Sequence, residues 1–116
     1  MDKQIAFNAR QTIPISLQIG FEDITESKES PKVLVYCWAS QKDLAGREMQ
    51  IGGEKRVEIY LFDEVHIASM LVRRMLLSAK DHYIDFDLER VVSGIMEHLK
   101  LLRVEILARN MNGIPV

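Results

Sequence analysis

Hydrophobic residues near the start of the chain fall on every second position. Ile5, Phe7, Ala9, Ile13, Ile15, Leu17, Ile19 and Phe21 are all odd-numbered, while Gln4, Asn8, Arg10, Thr12, Ser16, Gln18 and Glu22 fill most even positions. A period of two is the signature of a strand with one wet face. The run is too long for one ordinary strand. Pro14 has no amide to give to a ladder, so the pattern predicts two pieces, 3–9 and 13–21, with an edge or a bend at Pro14. The polar, acidic stretch from Glu22 to Pro31 then reads as a solvated loop. Val33 to Ala39 is apolar on both faces, which predicts a central strand covered on both sides. In that reading Trp38 shares a face with Leu34 and Tyr36 and is a packing residue. Ser40 to Glu54 holds Gly46, Gly52, Gly53 and several charges, and reads as a long connection with Gly52–Gly53 as its hairpin turn. Residues 56–62 alternate again, with Val57, Ile59 and Leu61 inward and Arg56, Glu58 and Tyr60 outward.

The period then becomes helical. Val65, Ala68, Leu71, Val72, Met75, Leu76 and Ala79 form one stripe, so a helix is predicted over 64–80, with Asp63 as its N-cap and Glu64 in its first turn. Residues 81–87 interrupt the pattern, and Asp85 or Asp87 is the cap of a second helix. Its stripe is Leu88, Val91, Val92, Ile95, Met96, Leu99 and Leu102. Gly94 within it costs about 1 kcal/mol relative to alanine.

Past Lys100 two readings remain: residues 103–109 alternate well enough for a strand and also suit a helix with a Glu105–Arg109 pair. No Gly, Pro or Asn lies between Gly94 and Asn110 to mark a turn, which favours one helix over 87–109. Such a helix is about 35 Å long. Leu101, Leu102, Val104, Ile106, Leu107 and Ala108 make its last part apolar nearly all round, more than a sheet on one side covers. The whole pattern predicts an α+β fold in one domain, 1–116. An antiparallel sheet of three to four strands forms the N-terminal half, and two C-terminal helices cover one face of it.

Composition narrows the function without naming it. The 116 residues are 47% hydrophobic and 28% charged, which supports a packed core and not wholesale disorder. Fifteen basic and 17 acidic residues leave a net charge of −2. The charges are spread evenly along the chain, so no basic surplus points to nucleic acid or to an anionic membrane. The single cysteine, Cys37, excludes an intrachain disulfide. The N-terminus has no apolar run of signal-peptide length, and no stretch is long enough to span a membrane. The expected setting is cytoplasmic.

The candidate chemistry is sparse. His66, His82 and His98 are each 16 residues apart, a spacing that turns helical residues to opposite faces, and no second cysteine completes a zinc set. Cys37 lies among apolar residues, where burial raises a thiol's pKa and makes its thiolate scarce. Asp81, Asp85 and Asp87, with His82, form an acidic loop; Asp-x-Asp pairs hold hard cations elsewhere, but capping explains the same residues. Gly52–Gly53 lacks the Lys-Ser/Thr of a phosphate loop. Arg73–Arg74 reads as a solvated helix edge in which either arginine pairs with an acid.

These residues predict no catalytic group, no metal site and no cofactor. They point to a small protein–protein interaction domain, of inhibitor, immunity, adaptor or chaperone type, whose partner is another protein or a second copy of itself. The expected contact residues are Leu101, Val104, Leu107 and Ala108, with Trp38 as an anchor if it is exposed. Two alternatives come from other classes. One is a small metal-dependent enzyme using the Asp81–Asp87 loop. The other starts from the order of strand 56–61 and two helices, which loosely resembles ribbon-helix-helix DNA-binding regulators. Against that resemblance, Glu58 would face phosphate and the first helix is long.

Overall fold

A computed structural model describes residues 3–8, 15–80 and 86–112. The chain forms a four-stranded antiparallel meander, β1 (Lys3–Asn8), β2 (Ile15–Asp23), β3 (Lys32–Lys42) and β4 (Glu48–Tyr60), in spatial order β1-β2-β3-β4. Two helices follow, α1 (Val65–Lys80) and α2 (Leu88–Asn112), and both pack on the same face of the sheet. The fold is the expected α+β arrangement. Pro14 lies outside the described residues.

The core sits where the period-two reading puts it. Leu17, Ile19 and Phe21 of β2, Val33, Val35, Cys37 and Ala39 of β3, and Ile59 of β4 are buried beneath the helices. α1 lies on β4 and, to a lesser extent, on β3. α2 lies on the other half of the sheet, where Phe7 of β1 reaches Gly94 and the ring of Phe21 on β2 lies 4.2 Å from that of His98. A side chain at position 94 would meet the Phe7 ring at 2.9 Å, so the glycine that weakens the helix locally lets α2 approach β1.

Several expectations change. β3 is buried on one face only; Leu34, Tyr36 and Trp38 are half-buried on the opposite, helix-free face. An apolar strand reads as doubly covered, but no second layer lies there among the described residues, and Tyr36 and Trp38 instead stack on each other, centroids 5.5 Å apart.

Gly52–Gly53 is not the hairpin turn. The turn is Asp43–Arg47, where the Asp43 carboxylate accepts the amides of Ala45 and Arg47 and Gly46 takes φ 80°. Gly52 and Gly53 lie within β4. Cys37 pairs with Lys55 and Ala39 with Ile51, so Gly52, Gly53 and Glu54 stand against the single residue Trp38 in a β-bulge.

The cap of α1 falls one residue past Asp63: the Glu64 carbonyl accepts the amides of Ile67 and Ala68. Asp87 caps α2, its carbonyl accepting the Val91 amide and its carboxylate the Arg90 amide. Residues 101–108 are helical, so the strand reading of that segment falls.

Candidate functional site

α2 divides its C-terminal apolar residues between two surfaces. Leu102 and Ile106 are 4% and 6% exposed, on the stripe that begins with Val91, Val92, Ile95 and Leu99 and faces the core. Leu101, Val104 and Leu107 are 58%, 59% and 42% exposed, and Ala108 is exposed beside them. Leu101, Val104 and Ala108 stand at i, i+3 and i+7, which lines them up along one side of a helix, and Leu107 widens that side. Charges border them: Glu105 and Arg109 form an i,i+4 pair at 3.3 Å. Among the described residues, nothing of this chain covers the patch.

Trp38 does not join this patch. It occupies an even position of β3 and therefore the face away from the helices, directly across from Gln18. The four α2 residues and Trp38 belong to opposite layers of the molecule. The helix-free face has its own order. Gln18 is 4% exposed although polar, because its amide oxygen accepts from Gln4 at 2.6 Å and its amide nitrogen donates to Ser16 at 2.8 Å. The Tyr36 ring fills the space above Gly20. Alternation alone marks Gln18 as a wet position, and only the pairing of β1 with β2 shows how its burial is satisfied.

The groups considered for chemistry are dispersed. Cys37 is buried, and desolvation pushes its thiol up to about 11, with the Glu54 charge adding to the effect. His98 is partly buried against Phe21, and its Nε2 is enclosed without a hydrogen-bond partner. Burial, then the positive charge of Lys3, holds its pKa below the ordinary value. His66 is exposed beside Glu64. Arg73 reaches across to Glu89 at the start of α2 in a two-pronged pair, one prong at 2.9 Å, so the first of the two adjacent arginines joins the helices.

Among the described residues, no three His, Cys, Asp or Glu side chains come together as a metal ion would need. Asp81, His82 and Asp85 lie outside the described residues. A crevice of about 40 Å³, between the end of β4, the start of α1 and Arg103 of α2, has room for a few waters. No helix among the described residues is long and apolar enough to cross a membrane. The chain matches no protein-family model, no curated protein and no solved structure.

Proposed function

We propose that this protein acts by binding another protein, as a cytoplasmic inhibitor, immunity-type, adaptor or chaperone domain, through the outer side of α2. The observation that carries this reading is the exposure of Leu101, Val104 and Leu107 on a helix whose other side is already committed to the core. Leu101, Val104 and Ala108, at i, i+3 and i+7 with Leu107 beside them, have the spacing a helix presents to an apolar groove or to another amphipathic helix. Soluble domains seldom leave contiguous apolar area in water without a use for it. Trp38, half-buried against Tyr36 on the opposite layer, is not part of this contact.

A photo-crosslinking residue placed at position 108 in the source cell tests the proposal. Position 108 should give a discrete adduct, which position 45 in the exposed Asp43–Arg47 turn does not, and Leu101→Glu with Val104→Glu should abolish it while leaving the circular dichroism spectrum unchanged. The mass of the adduct distinguishes another protein from a second copy of the chain. Equal labelling from both positions, or an adduct that survives the double substitution, would overturn the proposal.

A further inference from the structure

β4 is an edge strand: β3 lies on one side of it, and no strand of the described residues pairs with the other. We propose that this free edge pairs with the same edge of a second copy, antiparallel and about a two-fold axis at Val57, joining two sheets into one. The inference is independent of the outer side of α2.

Its basis is charge complementarity. In an antiparallel two-fold pair, directly opposed residues share a face, so both copies keep their helices on the same side. With Val57 on the axis, Arg56 of each copy stands opposite Glu58 of the other, on the helix-free face. Both side chains are exposed; Arg56 pairs with Glu54 two residues back, and Glu58 with Lys32 of β3 at 3.7 Å.

The neighbouring registers are unfavourable. A two-residue shift one way sets Arg56 against its own copy and Glu54 against Glu58. The same shift the other way sets Glu58 against itself. A one-residue shift would turn the apolar side of one strand to the wet face. The Val57 register thus relieves every like-charge contact along Glu54–Tyr60. The Gly52–Gly53 bulge ends the straight part of the strand just beyond.

Lys55 shares the helix-facing side with Cys37, its partner on β3. An inward-pointing lysine discourages indiscriminate edge pairing. Here it stands opposite Ile59 of the second copy, which its own helix layer already buries, so the lysine stem turns aside along the edge and keeps its ammonium in water. A two-fold contact is self-complementary and closes at two copies.

Sedimentation equilibrium of four proteins tests this: wild type, Arg56→Glu, Glu58→Arg and the combined swap. The wild type should dimerise. Each single reversal places two like-charge contacts across the axis and should weaken the dimer about tenfold or more. The combined swap restores opposite charges and should recover the wild-type constant, and circular dichroism of each single variant shows that it folds. Amide exchange along β4 should slow as protein concentration rises. A wild type that stays monomeric at millimolar concentration overturns the proposal, as does a dimer indifferent to both reversals. A dimer broken by Leu101→Glu with Val104→Glu but insensitive to the reversals overturns it too, and assigns self-association to α2.

Discussion

The ring of Tyr36 on β3 lies against Gly20, its register partner on β2: a methyl group built on Gly20 would sit 2.2 Å from the ring carbon Cζ. Glycine in a strand interior is otherwise unfavourable, since it has no side chain to pack, and here the neighbour's ring takes the vacant place. Gly20→Ala should therefore destabilise the protein by about 1–3 kcal/mol, as overpacking does. In a Tyr36→Ala background the same change should cost almost nothing, because the obstructing ring is gone. Urea denaturation of the four proteins gives the coupling directly. Additive costs would show that the ring and the glycine are energetically independent.

Cys37 should be close to inert in the native state. Its thiol is held at about 11, against an ordinary 9.0, chiefly by desolvation. Two units leave about a hundredfold less thiolate at neutral pH, and the thiolate is the reactive form. An aromatic disulfide reagent should label the folded protein at least that much more slowly than the protein in denaturant. Rapid labelling of the folded chain would mean that the helix layer lifts readily from the inner face of β3.

The period-two pattern located the inner faces of β2 and β4 because burial on one side leaves a clean alternation, as at Leu17, Ile19 and Phe21. It could not separate a strand with two covered faces from one whose second face is occupied by its own aromatics, which is the case for Tyr36 and Trp38. Gly52–Gly53 reads as a turn because a turn and a bulge ask the same conformational freedom of glycine; Gly52 has φ 73° within a strand. The true turn rests on the Asp43 carboxylate, a signal as short as one residue. The surplus of apolar residues after Lys100 was legible, and so was its helical form. Its division into Leu102 and Ile106 inside and Leu101, Val104 and Leu107 outside follows only once the helix phase is set by Val91, Ile95 and Leu99. The separation of Trp38 from that patch was not legible, because it depends on which side of the sheet the helices choose.

His98 should make stability pH-dependent. Burial against Phe21, with Lys3 nearby, lowers its pKa in the folded state, while Glu105 opposes this weakly. Between the folded value and the ordinary 6.5, the unfolded chain binds the proton that the folded one refuses. Stability from this group is therefore complete above 6.5 and is lost as pH falls through the folded value. The melting temperature of the wild type should fall more steeply on acidification than that of His98→Asn. The His98 ring signal in a proton titration should move at a pH below 6.5. Parallel melting profiles for the two proteins would show that His98 titrates as a solvated side chain.

The two sides of α2 should differ sharply under truncation. Leu102 and Ile106 touch the core, and replacing either by alanine removes buried methylenes and leaves a cavity, at a cost of about 2–5 kcal/mol. Leu101 and Val104 are more than half exposed, so Leu101→Ala or Val104→Ala should change stability by no more than about 0.5 kcal/mol. Leu101 and Leu102 are adjacent in sequence and identical in chemistry, so helix propensity and the unfolded chain contribute equally to both, and the contrast isolates which way each side chain points. Denaturation at micromolar and at near-millimolar protein concentration extends the test. A cost for Leu101→Ala that appears only at the higher concentration means that a second copy covers the outer side. Equal costs at Leu101 and Leu102 under all conditions would mean that α2 is buried all round and that its outer side is not available to a partner.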